Sequence, residues 1–211
     1  MNTIITIGRE CGSGGREIGE KVAQYFNIDF YDKNLLNRAS NDSGFCPEVF
    51  EHNDEKPINS LLYNLVMDTY SFGHSSTPFV DMPISHKVFL AQFDTIKRIA
   101  GEGPCVIVGR CADYALADLD NVLNIFIHAD LDFRIGRISQ RFSNMKDSEV
   151  RERIIKKDKE RRNYYNYYSS KKWGMANSYD LSIDSSLLGI DGTVSMICNF
   201  VKEFECYAKN R

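Results

Sequence analysis

The chain has 211 residues, of which 43% are hydrophobic and 26% are charged, as expected for one globular domain with a single core. The formal net charge is −3, which argues against nucleic-acid binding because that function needs a basic surface. No apolar stretch approaches the roughly 18 residues that a membrane span requires, and no basic segment precedes the amino-terminal apolar run. We therefore expect a cytoplasmic protein that binds neither nucleic acid nor membranes.

The amino-terminal part of the chain alternates between predicted strands and helices. A short buried strand is predicted over Thr3–Ile7 and is followed by a glycine-rich turn, Gly8–Gly15. From about Arg16 the apolar residues recur at helical spacing. A second strand is predicted over Ile28–Tyr31, and the next helix begins near Asp32, a residue type common at helix N-caps.

The segment of about residues 43–84 breaks this rhythm. Prolines punctuate short helical pieces there, such as the one predicted over Ile58–Tyr70. We expect this segment to be a helical insert.

The second half of the chain resumes the alternation. The predicted helices cover about residues 85–100, 130–142 and 148–162, the predicted strands cover residues 104–108, 122–127 and 179–183, and an amphipathic helix closes the chain. Strands separated by helices indicate a parallel sheet with helices on both faces, which is a three-layer α/β/α fold.

The cysteines and histidines give no sign of a metal site. The six cysteines are scattered and include no Cys-x-x-Cys pair, so we expect reduced and mostly buried thiols. None of the four histidines has a spacing typical of metal ligands or of a catalytic triad.

The glycine-rich turn between the first strand and the first helix is the strongest functional signal. Backbone N–H groups in such a turn converge on an anion, and the following helix presents its positive end. Glycines allow the backbone to approach a phosphate closely. The alternative is a tight turn without a ligand. We predict phosphate binding by Arg9, Gly12, Ser13, Gly14, Gly15, Arg16 and Glu17.

This turn departs from the P-loop pattern GxxxxGK[ST]. If Gly14 is the glycine before the lysine, Gly15 replaces the lysine, Arg16 replaces the Ser/Thr, and Arg9 stands at the leading glycine. The lysine ordinarily supplies charge to the transferring phosphate, and the hydroxyl holds Mg²⁺. Arg16 or Arg9 could restore the charge, and Ser13 is the hydroxyl nearby.

Several segments taken together carry a family resemblance. Residues 5–19 read ITIGRECGSGGREIG, and residues 106–114 read VIVGRCADY. The run from Asp158 to Arg161, the pair Trp173-Gly174 and the run from Tyr179 to Leu181 follow in order. In this order and spacing they resemble the cytidylate kinase-like family, from Thr3 to about Phe204.

The resemblance implies a single P-loop kinase domain over residues 1–211. It implies a five-stranded parallel sheet, a helical monophosphate-binding insert at about residues 43–84, and a lid at about residues 153–173. The implied activity is transfer of a phosphoryl group from ATP to a nucleoside monophosphate, with ATP and Mg²⁺ as cofactors and small nucleotides as partners. Neither the metal ligands nor the oligomeric state follow from it.

The resemblance also implies acceptor-binding residues. Asp32 and Arg38 occupy the segment in which cytidylate kinases contact the acceptor nucleotide. Gly109 and Arg110 match the Gly-Arg of a Gly-Arg-Asp motif whose arginine holds the acceptor phosphate, and Cys111 stands at the aspartate position.

Basic residues crowd the predicted lid. Such a run is also typical of a solvated helix face with acidic partners one turn away. Because arginines that close over phosphates neutralise the transferring charge, the candidate catalytic residues are Arg16, Arg153, Lys157 and Arg161. Two alternative functions are a non-catalytic nucleotide-binding or regulatory module and a kinase of another small acceptor.

Overall fold

The computed structural model describes residues 1–44, 46–55, 83–142 and 144–209. Within these ranges five strands form one parallel sheet with the order β2-β3-β1-β4-β5. The strands are β1 (Ile4–Arg9), β2 (Asp29–Tyr31), β3 (Cys105–Val108), β4 (Val122–His128) and β5 (Leu181–Asp184). The predicted five-stranded parallel sheet is confirmed.

Helices connect the strands and cover both faces of the sheet. They are α1 (Gly15–Phe26), α2 (Lys33–Ser43), α3 (Pro47–Asn53), α4 (Ile84–Glu102), α5 (Ala112–Ala115), α6 (Leu131–Arg141), α7 (Asp147–Tyr168) and α8 (Ser185–Lys209). Alternate residues of β1 point to opposite faces, so that Ile5 packs with α1 and α8 whereas Ile4 packs with α2, α4 and α5. The predicted α/β/α layering is therefore confirmed.

The sheet register brings several strand ends to one edge. β1 lies in the centre, where Ile7 pairs with Val108 of β3 and with Ile125 of β4. The carboxyl ends of parallel strands face the same edge of a sheet, which is where open α/β folds bind ligands. The segments after β1, β2, β3 and β4 therefore meet there.

The charged helix is longer than the sequence predicts. α7 runs to Tyr168 because Tyr164, Tyr165 and Tyr168 pack in an aromatic cluster with Phe89, Phe126 and Trp173. The rings of Phe89 and Tyr168 are stacked with centroids 3.7 Å apart. These tyrosines are therefore core residues that anchor the carboxyl-terminal half of α7.

The predicted insert of residues 43–84 lies mostly outside the described residues, since residue 45 and residues 56–82 are not among them. The described part comprises α3 and the turn that ends at Glu55. No helix in the part of the chain that the structure describes is long and apolar enough to cross a bilayer.

Candidate active site

The segment between β1 and α1 (residues 10–14, the glycine loop) takes a conformation that requires its glycines. Gly12 and Gly14 have φ angles of 86° and 84°, in the left-handed region that side chains disfavour. A Cβ on Gly12 would lie 2.9 Å from the Arg134 carbonyl oxygen, and one on Gly14 would collide with Ile190. The loop is therefore packed tightly between α6 and α8, at the amino-terminal end of α1.

Ser13 stabilises the glycine loop through hydrogen bonds on its buried side. Its side chain is fully buried, and its hydroxyl donates to the Glu10 carbonyl at 3.0 Å. Its carbonyl in turn accepts a hydrogen bond from the Ser185 hydroxyl at 2.6 Å. The Ser13 hydroxyl is therefore committed to the loop itself and faces away from the adjacent cavity.

Arg9 fills the space beside the first residue of α1. A Cβ on Gly15 would lie 2.5 Å from the Cβ of Arg9 and 3.1 Å from its Cγ. The Arg9 guanidinium continues toward Gly109, where an added Cβ would collide with it. The aliphatic part of Arg9 thus fills the space beside the position where the P-loop pattern has its lysine, and its charge lies beside Gly109 and Glu55.

The α7 helix contacts the glycine loop directly. The Asp158 carboxylate accepts from the Cys11 amide at 2.7 Å and from Arg134 Nη1 at 2.6 Å. One turn further on, Arg161 Nη1 donates to the Arg9 carbonyl at 3.3 Å. The middle of α7 is therefore fixed against the loop by one acidic and one basic side chain.

Glu55 lies at the centre of a buried charge cluster. Its carboxylate accepts from Arg9 Nη1 at 2.5 Å, from Arg161 Nε at 3.0 Å and from the Arg110 amide at 3.3 Å. Burial alone would raise the pKa of Glu55. The Arg9, Arg161 and Arg110 charges outweigh burial and hold that pKa well below its ordinary value, so Glu55 is ionised.

Arg110 organises two further carboxylates. It donates to both oxygens of Asp54 at 2.9 Å, to Asp32 at 3.3 Å and to the Val108 carbonyl at 3.1 Å. Burial and the Glu55 charge together raise the pKa of Asp54 by more than Arg110 and Arg9 lower it. Asp32 also accepts from Arg16 Nε at 2.8 Å, so it links the start of α1 to Arg110.

These elements enclose a cavity of about 680 Å³, a size within the range of small-ligand pockets. Its lining is rich in charge. The basic lining residues are Arg9, Arg16, Lys33, Arg110, Arg137, Arg141, Lys157 and Arg161, and the acidic ones are Glu10, Glu17, Glu20, Asp32, Asp54 and Glu55. Most of the lining cations are already paired with lining carboxylates, so an anionic ligand would compete with these internal pairs.

The structure brings most of the predicted site residues together. The predicted residues that line the cavity are Arg9, Gly12, Gly14, Gly15, Arg16, Glu17, Asp32, Arg110, Lys157 and Arg161, while Gly109 lines a smaller adjoining pocket. Among the predicted lid cations, Lys157 is paired with Glu160 at 3.2 Å.

The structure does not bring three predicted residues into the cavity. Ser13 is buried beneath the loop. Arg38 points away, with its Nη1 2.8 Å from a Glu102 carboxylate oxygen. Arg153 lies over the Phe142 ring at 4.7 Å on the outer side of α7.

Several residues that line the cavity are not among the site residues predicted from the sequence. Asp54, Glu55 and Arg141 line the cavity, and Arg137 does so while paired with Glu17 at 2.7 Å. Asp158 appeared only as part of a matched motif. Arg137 and Arg141 lie four residues apart on one helix face, a spacing that is also typical of surface ion pairs and so does not by itself indicate a site.

The five-stranded parallel sheet and the glycine loop before α1 are those of a P-loop kinase fold. The sequence model of the cytidylate kinase-like family matches residues 4–187, and the chain belongs to this family. The cytidylate kinase of Staphylothermus marinus is 20% identical over 201 residues, which are 95% of this chain and 97% of that protein. That of Desulfurococcus amylolyticus is 21% identical over 190 residues, or 90% and 88% of the two chains.

Solved structures agree with this fold. An uncharacterized protein from Eubacterium ventriosum has a TM-score of 0.71 at 27% identity, covering 95% of this chain and 98% of that chain. The shikimate kinase of Bacteroides thetaiotaomicron has a TM-score of 0.54 at 14% identity, covering 96% and 99%. The second similarity concerns the fold alone. The family and the fold are those of phosphotransferases.

Proposed function

We propose that this protein transfers a phosphoryl group from ATP to a nucleoside monophosphate. One observation carries the proposal: the glycine loop at the start of α1 opens into a nucleotide-sized cavity lined by basic side chains. Backbone N–H groups of the loop and the positive end of α1 suit the donor phosphates. Family membership supports the same assignment.

Arg9 and Arg16 would stabilise the donor phosphates. Arg9 lines the cavity with its guanidinium beside Gly109 and Glu55, and from there it would supply the charge that the P-loop pattern takes from lysine. Arg16 projects into the cavity and is held by Asp32 at 2.8 Å. Phosphoryl transfer depends on positioning and on neutralising oxygen charge, so cations at these positions suffice without a covalent intermediate.

Arg161 and Lys157 would act on the transferring group, and Arg110 on the acceptor. Arg161 approaches the glycine loop from α7, so its guanidinium reaches the junction between donor and acceptor. Arg110 lies after β3, on the side of Asp32 and α2. In this proposal Arg110 would act from the side of Asp32 and α2, and Arg161 from the side of α7.

The residues present fit the triphosphate of ATP, and they suit Mg²⁺ only as a nucleotide complex. Within the described ranges no group of three His, Cys, Asp or Glu side chains could hold a metal ion, and the Ser13 hydroxyl is committed to Glu10. Mg²⁺ commonly binds through phosphates and water with few protein ligands. Mg²⁺ bound with ATP would add positive charge at the β- and γ-phosphates.

A second candidate is a kinase of a different small acceptor. Asp32 and Asp54 flank Arg110 at the acceptor end. Carboxylates accept hydrogen bonds from hydroxyl groups and repel phosphates, so this pair favours a hydroxylated acceptor that carries no phosphate.

The test is a coupled ADP-release assay with ATP, Mg²⁺ and a panel of nucleoside monophosphates and hydroxylated acceptors, with products identified by mass spectrometry. The proposal expects a phosphorylated nucleoside monophosphate as the product. Arg161→Gln, purified in the same way, controls for contaminating kinases. A product from another acceptor would favour the second candidate. ATP binding without turnover on any acceptor would favour a non-catalytic nucleotide-binding module.

A further inference from the structure

The Glu55 carboxylate occupies a set of donors that has the composition of a phosphate site. Arg9 donates to both of its oxygens, at 2.5 and 3.3 Å, and Arg161 donates to one at 3.0 Å. The Arg110 amide completes the set at 3.3 Å. Planar guanidinium groups pair with phosphate oxygens in the same two-pronged geometry as with carboxylates.

The backbone around this set allows close approach of an oxyanion. A Cβ on Gly109 would collide with both Arg9 Nη1 and Glu55 Oε1, so no other residue fits there without movement. Arg110 and Cys111 follow with φ angles of 55° and 54°, and Glu55 itself has a φ of 51°. Non-glycine residues in this conformation cost about 1 kcal/mol each, and such strain collects at functional sites.

The side-chain donors of this set are largely shielded from solvent, and both contact the Glu55 carboxylate. The Arg9 side chain is 11% exposed, that of Arg161 is 15% exposed and that of Glu55 is 6% exposed. Among the described residues, Glu55 is the carboxylate that pairs directly with both guanidinium groups, and the Asp158 charge acts on Arg161 as well. The same cavity carries the glycine loop, where donor phosphates bind under the proposed function.

We infer that Arg9, Arg161 and the Arg110 amide form a phosphoryl-binding site that Glu55 fills from within the chain, and that a ligand phosphoryl group binds there by displacing the Glu55 carboxylate. The inference rests on the proposed function for the identity of the ligand. A phosphoryl group carries more charge than the carboxylate and three acceptor oxygens, so it can replace every contact that Glu55 makes. Because Glu55 competes with the phosphoryl group for the same donors, it weakens the binding of that group.

The test measures pyrophosphate binding to the full chain by isothermal titration calorimetry. Glu55→Gln removes the competing charge and keeps the side-chain shape, so we expect at least about tenfold tighter binding than in the wild type. Glu20→Gln removes the same charge from the same cavity but lies beside Arg16, at 3.3 Å. This control should change the affinity by less than about twofold, as expected for an exposed ion pair.

The second readout addresses folding. Glu55→Gln removes the carboxylate that pairs with both Arg9 and Arg161, so its melting temperature should fall and pyrophosphate should restore it more than it stabilises the wild type. If Glu55→Gln does not fold, Glu55→Asp takes its place, because the shorter carboxylate holds Arg9 and Arg161 less well and should also tighten pyrophosphate binding. Unchanged or weaker binding in the folded variant, or an equal gain in Glu20→Gln, would overturn the inference.

The binding test is independent of turnover. If Glu55→Gln binds pyrophosphate more tightly and no acceptor is phosphorylated, displacement of Glu55 by a phosphoryl group is supported and the proposed function fails. If the wild type phosphorylates a nucleoside monophosphate and Glu55→Gln binds pyrophosphate no more tightly, the proposed function is supported and the displacement of Glu55 is wrong.

Discussion

The Arg9 side chain occupies the space that a side chain at Gly15 would need, since a Cβ on Gly15 would lie 2.5 Å from the Cβ of Arg9. Two departures from the P-loop pattern are therefore one structural change. The chain lacks a lysine at position 15 because the arginine at position 9 excludes any side chain there. The cationic side chain, Arg9, projects from the end of β1, whereas the P-loop pattern places its lysine at the start of α1.

The first prediction concerns this exclusion. Gly15→Ala should lower the free energy of unfolding by about 1–3 kcal/mol, the usual cost of overpacking. Gly136→Ala is the matched control, because Gly136 lies in α6 with nothing within 4 Å of an added Cβ. It should stabilise by about 0.5–1 kcal/mol through helix propensity. Urea denaturation measures both changes.

A double variant separates the contact from other effects. In an Arg9→Gly background the added methyl group finds free space, so Gly15→Ala should cost little or nothing. An equal cost in both backgrounds would mean that Arg9 does not set the requirement for glycine.

The strands and the glycine loop could be predicted because their signals are local. Each strand is a short apolar run bounded by turn residues, and the glycines of the loop lie directly between a strand and a helix pattern. The register that joins the ends of β1 and β3 then follows from parallel pairing.

Glu55 and Asp158 could not be assigned to the site from the sequence because their partners are remote. Glu55 follows the short α3 helix without any periodic pattern, and it pairs with Arg9 and Arg161 across 46 and 106 residues. Asp158 lies in a helix that carries charge at most positions, so spacing gave no sign of which side chains face inward. Arg153 and Arg161 were indistinguishable for the same reason.

The second prediction concerns Asp158, which joins α7 to the glycine loop. Asp158→Asn keeps an acceptor for the Cys11 amide but removes the carboxylate that lies 2.6 Å from the buried Arg134, whose other carboxylate partner, Glu10, lies farther away at 3.6 Å. The free energy of unfolding should fall by about 2–4 kcal/mol, and the Cys11 amide should exchange its hydrogen faster. Glu160→Gln, on the same helix in a more exposed pair with Lys157, should stay within about 0.5 kcal/mol of the wild type. An unchanged Cys11 exchange rate would contradict the assignment of Asp158 as the anchor.

The third prediction concerns Arg161 in the proposed reaction. Arg161→Lys keeps a charge but loses the fork that reaches both Glu55 and the Arg9 carbonyl, so kcat should fall by at least about 100-fold. Arg162→Lys is the control, because Arg162 lies over the Trp173 ring at 5.5 Å and outside the cavity lining. Its kcat should stay close to the wild-type value, measured by ADP release. Equal losses in the two variants would remove Arg161 from the proposed site.

The fourth prediction concerns Arg110 at the acceptor end. Arg110→Lys cannot hold both oxygens of Asp54, so the acceptor subsite loses its geometry. The KM for the acceptor should rise by about tenfold while the KM for ATP stays unchanged, since the glycine loop is untouched. Equal rises in both KM values would show that Arg110 does not belong to the acceptor end. A loss of thermal stability with normal kinetics would make it a purely structural residue.

The last prediction follows from the ionisation of Glu55. The guanidinium groups of Arg9 and Arg161 outweigh burial and lower the pKa of Glu55 in the folded state, whereas an unfolded glutamate titrates at about 4.3. A lowered folded-state pKa means that the carboxylate stabilises the protein above pH of about 4.3 and loses this contribution as the pH falls through the folded-state value. Glu55→Gln should therefore be less stable than the wild type by about 3 kcal/mol at pH 7, and the difference should shrink as the pH falls below about 4.3.

Urea denaturation of the two chains between pH 7 and pH 3.5 measures this difference. Asp54 shifts in the opposite direction, because burial raises its pKa, so its contribution is lost as the pH rises. Asp54 is common to the two chains, but the Glu55 charge also raises its pKa, so both chains are made with Asp54→Asn, which removes this titration from the difference. A stability difference that stays constant down to pH 3.5 would mean that Arg9 and Arg161 do not lower the pKa of Glu55. The inferred phosphoryl site, which depends on the charges of these two arginines, would then lose its electrostatic basis.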